Sequence, residues 1–324
     1  MKPRVGFLGT GWIGRHRMEA MLETGSIDAV AICDPSPECA AAAAELAPDA
    51  ARLGSLEEML ERRLDGIVIA TPSALHAEQA LRALDAGAAV FCQKPLGRTA
   101  AETRAVVETA SAADRLLGVD LSYRETAAMQ AIADVVHGGG LGRLFAIDLT
   151  FHNAYGPDKA WFYDPVQSGG GCVIDLGIHL VDLALWTLGF PAVRSVTAEL
   201  LHVGMAPESG AVEDYAVARF DAGDVSVRLA CSWGLHAGRD AVIEAAFYGT
   251  GGGAALRNVD GSFYDFTAHR FSGTSGELLA APPDAWGGRA AAAWAERLAR
   301  SPGFDGRAEQ YVRAAEVLDR IYGR

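Results

Sequence analysis

The sequence predicts an α/β chain: a doubly wound parallel sheet first, then an α+β domain built on a mostly antiparallel open sheet. Three observations carry that prediction. Up to about residue 120, short β-branched apolar runs alternate with longer segments of helical period, the pattern of parallel strands joined by crossover helices. A glycine-rich turn joins the first run directly to the first helical segment. Beyond Asp120, strand-like stretches follow one another without intervening helices, which an antiparallel sheet permits. Half of the 324 residues are hydrophobic, 21% are charged and 8% aromatic, so disorder and collagen-like repetition are excluded. At roughly 150 residues per domain, the length fits two medium domains or one large one, with about three quarters of the unfolded surface buried.

Taken in order, the strand candidates of the first half are Arg4 to Leu8, Ala29 to Cys33, Gly66 to Ala70, Ala89 to Cys92 and Leu116 to Val119. Helical patterns fill the gaps at Ile13 to Glu23, Pro37 to Ala47, Leu56 to Arg62, His76 to Ala86 and Ala100 to Ala113. Ser55 and Thr99 suit N-caps, and Gly87 a left-handed stop. In the second half, Glu125 to His137 reads as a helix closed by three glycines, Leu144 to Phe151 as an alternating strand, and Cys172 to Leu188 as an apolar helix. Strand-like stretches follow at Val193 to Val203, Val212 to Phe220, Val225 to Trp233 and Ala241 to Tyr248, and Arg307 to Tyr322 is predicted to be a terminal helix. The change of rhythm places the domain boundary at residues 1–121 and 122–324.

With 41 acidic against 28 Lys and Arg residues, the net charge is −13, which repels phosphate backbones and anionic bilayers. Neither nucleic acid nor a membrane is an expected partner. The five cysteines are scattered and form no Cys-x-x-Cys pair, so they read as reduced thiols of a cytoplasmic protein. No stretch approaches the roughly 18 consecutive apolar residues of a membrane span, and the first residues read as a buried strand, not as a leader. No cluster has metal-ligand spacing, and no metal is expected.

The turn after the first strand is Gly9-Thr10-Gly11-Trp12-Ile13-Gly14. In such a Gly-x-Gly-x-x-Gly run the first glycine permits the tight turn, the second lets backbone approach a pyrophosphate, and the third allows close helix–strand packing. The pyrophosphate then lies at the positive end of the following helix. Asp34, twenty residues beyond Gly14, ends the second strand, where a carboxylate accepts ribose hydroxyls. A 2′-phosphate is repelled there, so the expected cofactor is NAD, in preference to NADP.

Gln93-Lys94-Pro95 closes the fifth strand. Ligands of open parallel sheets bind beyond the carboxyl ends of strands, which aims Lys94 at the cofactor crevice. Pro95 restricts the lysine backbone to extended geometry. A second cluster runs from Gly169-Gly170-Gly171 through Asp175 to His179 and Asp182. On a helix, residues four and then three apart share one face, and polar groups on an apolar helix are costly to bury without partners. The glycine run admits other backbone, or a substrate, at close range.

Together with Ala70-Thr71-Pro72-Ser73-Ala74-Leu75-His76, Val212-Glu213-Asp214-Tyr215-Ala216 and Cys231-Ser232-Trp233, these motifs resemble the Gfo/Idh/MocA family of glucose-fructose oxidoreductases and inositol dehydrogenases over essentially the whole chain. The resemblance implies an N-terminal Rossmann domain, a C-terminal open-sheet domain used for substrate binding and oligomer contacts, and a homo-oligomer, dimer or tetramer. It implies NAD(P)-dependent hydride transfer on a sugar, inositol or related polyol. Lys94, Asp175 and His179 match the catalytic positions, and Thr71, Pro72 and His76 match positions lining the cofactor. The family motif has Glu where this chain has Gln93, which keeps size and an acceptor oxygen but loses the charge that holds Lys94 protonated.

In this reading His179, with an ordinary pKa of about 6.5, is the base that takes the hydroxyl proton, Lys94 stabilises the alkoxide and Asp175 orients them. Tyr123, Asn153, Tyr155 and Trp161 are candidate substrate contacts, with Arg124, His152 and His236 of the same kind, because aromatic faces and polar rims suit polyhydroxylated rings. Two alternatives stay open: an NAD-dependent glycosidase using transient oxidation, and a non-catalytic NAD-binding regulator.

Overall fold

The computed structural model describes all 324 residues. Along the first part run β1 (Arg4–Leu8), α1 (Trp12–Glu23), β2 (Asp28–Cys33), α2 (Pro37–Leu46), β3 (Ala51–Arg52), α3 (Leu56–Leu60), β4 (Gly66–Ile69), α4 (Ser73–Asp85), β5 (Ala89–Cys92), α5 (Ala100–Ala112) and β6 (Leu117–Val119). There follow α6 (Ala127–His137), β7 (Leu144–Asn153), α7 (Pro165–Ser168), a π-helical turn (Val173–Gly177) and α8 (Ile178–Thr187). The rest comprises β8 (Val193–Leu201), β9 (Tyr215–Ala222), β10 (Val225–Ser232), β11 (Ala241–Gly249), β12 (Gly252–Asn258), β13 (Phe266–Ser272), β14 (Ser275–Ala280), α9 (Arg289–Arg300) and α10 (Glu309–Ile321). The chain forms two units, Met1–Ser122 with Gly287–Val312, and Tyr123–Trp286 with Arg313–Arg324.

In the first unit six parallel strands stand in the order β3-β2-β1-β4-β5-β6. The order reverses between β1 and β4, so the loop after β1 opens at a topological switch point. Ser36, Ser55 and Thr99 each accept from an amide three residues on, capping α2, α3 and α5. Residues 287–312 return to this unit, so it is not the continuous 1–121 stretch that the sequence rhythm marks. The reason is the apolar stripe of α9: Ala291, Trp294, Ala295 and Leu298 are buried, and the Trp294 indole packs 5.8 Å from the Phe91 ring. That indole fills the space beside Gly66 and Gly118, where a Cβ would come within 2.8 and 2.6 Å of it.

The second unit holds an eight-stranded sheet in the order β14-β13-β12-β11-β7-β10-β9-β8. Only β7 and β10 pair in parallel; the other neighbours are antiparallel. Alternating burial along β9 and β10 marks one face turned inward, and α6 and α8 pack against the sheet. The segment Pro165–Thr187 is apolar and long enough to cross a bilayer by composition, but 94% of its most apolar window is buried inside the protein, which makes it a core element. β12 to β14 and α9 are elements beyond those the sequence reading names. Gly252, Gly253, Ala254 and Ala255 begin β12 without the β-branched residues that signal a strand.

Candidate active site

The first unit shapes its glycine loop through its own backbone. Gly9 stands at φ +83°, and a Cβ there would lie 2.6 Å from the carbonyl of Ala70; a Cβ on Gly14 would lie 2.1 Å from the Gly9 oxygen. A Cβ on Gly11 would meet no atom within 4 Å. Gly11 is therefore not needed by the fold, and the open space above it fits a pyrophosphate. Gly11 also N-caps α1 without a side-chain hydrogen bond, leaving the first turn free of a competing protein acceptor. Beside it Trp12 is exposed and Ile13 half-buried. Asp34 is drawn onto the loop: Oδ2 accepts from the Thr10 amide at 2.5 Å and from its hydroxyl at 3.4 Å, and Oδ1 accepts from the Ser36 amide at 2.8 Å. A carboxylate offers about four lone-pair sites, so capacity remains for ribose hydroxyls. These residues fit NAD.

Thr71 and Pro72 begin the turn after β4, with Pro72 capping α4 and the Thr71 hydroxyl donating to Gln79 Oε1 at 2.6 Å. His76 is 1% exposed. Its ring bridges the carbonyls of Thr71 and Pro95, each 2.7 Å from a ring nitrogen, so in this unit it is a strut between the loops after β4 and β5.

Lys94 is half-buried at the end of β5, and its bond to Pro95 is cis. The neighbouring Gln93 is buried and donates through Nε2 to Asp120 Oδ2 at 2.6 Å. Arg17 Nε donates to the same oxygen at 2.6 Å. The carboxylate that the family motif carries at position 93 is thus matched here by one at the end of β6, with the amide of Gln93 suited to face it. Gln93→Glu sets two buried carboxylates against each other and destabilises the protein by about 3 kcal/mol at neutral pH. The new carboxyl has a folded pKa raised above its unfolded value, so the penalty is absent below the unfolded pKa and grows as pH rises. Thermal melting of variant and wild type between pH 4 and 8 checks this; parallel curves refute it.

In the second unit Asp175 lies on the π turn and His179 in the first turn of α8. The Trp233 indole N–H donates to Asp175 Oδ2 at 3.0 Å. His179 is 7% exposed, and the Tyr123 ring packs edge-on against its imidazole at 4.8 Å. Tyr123 is itself held by Phe151, Phe266 and Trp286, and burial, then the Asp175 charge, raises its pKa. Asp182, on the same stripe, is engaged by Arg124, whose Nε donates at 2.5 Å and whose Nη2 makes a second bond. Arg124 also lies over the rings of Trp186 and Phe190, so this pair anchors α8.

Of the other candidates, Asn153 Oδ1 accepts from the Tyr155 amide at 2.8 Å, and the exposed Tyr155 donates its hydroxyl to Asp240 at 2.6 Å. Trp161 is half-buried and stacks on Phe162 at 3.8 Å, and Phe162 in turn meets Trp233 edge-on. His152 pairs with Ser232 and stacks on Tyr215. Sequence reasoning assigned no role to Asp120, Glu213, Trp233 or Tyr322. A carboxylate at the end of β6 and another inside an apolar run were the available signals.

Residues 3–121 match a family described as "Oxidoreductase family, NAD-binding Rossmann fold", and residues 129–255 match the GFO/IDH/MocA C-terminal domain. The chain is 28% identical over 292 residues to D-glucoside 3-dehydrogenase of Escherichia coli K12, covering 85% of this chain and 80% of the relative. It is 30% identical over 229 residues to 1,5-anhydro-D-fructose reductase of Ensifer adhaerens, covering 69% and 67%. The fold matches levoglucosan dehydrogenase, solved with NADH and levoglucosan, at a TM-score of 0.83 and 20% identity, covering 100% of this chain and 97% of the other. With both of its domains matching, this chain is a member of the Gfo/Idh/MocA family of NAD-dependent oxidoreductases.

Proposed function

We propose that this chain oxidises a secondary hydroxyl of a sugar, inositol or related polyol with NAD, and reduces the corresponding ketone in reverse, with Lys94, Asp175 and His179 as its catalytic residues. The observation that carries the reading is the buried His179 imidazole on the same helical run as Asp175, in a chain whose first unit leaves open the space above Gly11. Relatives named as a glucoside dehydrogenase and an anhydrofructose reductase support the substrate class.

NAD, when bound, supplies the hydride acceptor. Gly9, Thr10, Gly11, Trp12, Ile13 and Gly14 hold its pyrophosphate, Asp34 its ribose, and Thr71, Pro72, His76 and Gln93 shape the adjoining loops. The His179 imidazole takes the hydroxyl proton as the carbonyl forms. The role proposed for the Lys94 ammonium is to stabilise developing alkoxide charge. Asp175, anchored by Trp233, orients the imidazole of its own helical run and balances its charge. Tyr123 acts through its packing on His179, whereas Trp161, Asn153 and Tyr155 are the proposed contacts to substrate. The second unit serves substrate binding and oligomer contacts, and the protein is a cytoplasmic homo-oligomer. In support, all five cysteines are unpaired, and Thr150, Glu199, Arg219 and Arg228 line an open groove on the second sheet.

Incubation with NAD and a panel of glucosides and inositols, followed by NADH absorbance, tests the reaction. NADH is expected to accumulate with at least one of them. Aryl alcohol released from aryl glycosides without NADH points to the glycosidase, and neither signal to the regulator. Asp34→Ala is expected to lower the NAD to NADP ratio of kcat/KM by about tenfold, as removal of a carboxylate facing a 2′-phosphate requires. An unchanged ratio removes Asp34 from cofactor choice.

A further inference from the structure

We propose that Glu213 and Tyr322 are positioning residues for the reaction, together fixing the helical turn that presents Asp175 and His179. The inference rests on the catalytic reading above and deepens it.

A helix leaves its first amides without intrahelical partners. Here the four amides before Asp175 are all taken by two residues remote in sequence. The Gly171 amide donates to both Glu213 carboxylate oxygens at 3.0 Å, and the Cys172 amide donates to the Glu213 carbonyl at 3.0 Å. The Val173 amide donates to Glu213 Oε1 at 2.9 Å, and the Ile174 amide to the Tyr322 hydroxyl at 3.1 Å. That hydroxyl donates onward to Glu213 Oε1 at 2.8 Å, closing the set. Glu213 is 3% exposed, so its carboxylate depends on these partners.

The glycine run takes its meaning from the same two residues. A Cβ on Gly170 would lie 2.1 Å from the Tyr322 hydroxyl, and one on Gly171 would lie 1.9 Å from the Glu213 carbonyl oxygen. The chain itself occupies the room those glycines provide, which is the first of the two uses their sequence allowed. Arg324 holds Tyr322 in place: its guanidinium lies 4.6 Å from the ring centre and donates to the Gly169 carbonyl at 2.9 Å. Ile174 adjoins Asp175, so losing its acceptor loosens the backbone next to the carboxylate, and small displacements of reacting groups have large effects on rate.

Tyr322→Phe keeps the ring and its cation–π contact and removes only the hydroxyl. With NAD and methyl β-D-glucopyranoside, or myo-inositol where that is the faster substrate, kcat is expected to fall about tenfold, while KM and NAD affinity stay within about twofold. Glu213→Gln, which retains an acceptor oxygen, is expected to lose less than Glu213→Ala, again in kcat alone. A folded Tyr322→Phe with wild-type kcat, or with a raised KM at unchanged kcat, overturns the proposal. Should that variant fail to fold, Glu213→Gln is judged by the same split. Asp175→Asn separates the two levels: a collapse there beside a normal Tyr322→Phe removes only the positioning role. Wild-type kcat in Asp175→Asn, or no NADH from wild type with either substrate, removes the catalytic reading and this one with it.

Discussion

His179→Ala lowers kcat by about a thousandfold while NAD affinity changes by less than about twofold, the size expected when a general base is lost and ground-state cofactor contacts are kept. Lys94→Ala lowers kcat by about a hundredfold or more, because a charged donor to a developing alkoxide contributes on the order of 3 kcal/mol to the transition state and little before it. The two variants differ in stability. His179 is 7% exposed and packs edge-on against Tyr123, so alanine leaves a cavity and costs about 2 kcal/mol. His179→Gln keeps most of that volume and is the control: kcat stays low while the melting temperature recovers. Steady-state kinetics, NAD titration by fluorescence and thermal melting check the set. Wild-type turnover in either alanine variant overturns the role given to that residue.

The second large effect separates two glycines of one loop. Gly11→Ala weakens NAD binding at least about tenfold, or 1.4 kcal/mol, because the methyl enters space that the fold leaves open for the pyrophosphate. Its effect on stability is small, at most about 1 kcal/mol: φ −56° suits alanine and its Cβ meets no atom within 4 Å, so only the N-cap preference for glycine over alanine is lost. Gly14→Ala behaves in the opposite way. Its Cβ falls 2.1 Å from the Gly9 carbonyl oxygen, a backbone atom that cannot step aside, and overpacking costs about 3 kcal/mol before any ligand is added. Calorimetric NAD titration beside thermal melting reads both. Equal melting temperatures for the two variants, or unaltered NAD affinity in Gly11→Ala, refute the division of labour.

The cofactor half was legible in the sequence because its signals are local. Gly9 to Gly14 lies within one strand–turn–helix unit, and Asp34 follows at the end of the next strand. The spacing from Asp175 to His179 was readable for the same reason: four residues on one helical run are neighbours whatever surrounds them. The roles beyond spacing were not readable. Asp182 shares that stripe, yet Arg124, 58 residues away, ties it to the framework. Gln93 looks like a lost charge until Asp120, 27 residues on, is seen to hold its amide.

Sequence alone determined the parallel half, the glycine loop, the carboxylate that ends β2 and the helix that carries Asp175 and His179, since each follows from hydrogen-bonding and burial periods shorter than about one βα unit. Only the tertiary structure decided that 287–312 rejoins the first unit, that Glu213 and Tyr322 fill the glycine run, and that Asp120 faces Gln93. Those arrangements depend on steric fit and charge pairing between residues far apart in the chain. Such contacts leave no periodic trace in the segments that make them.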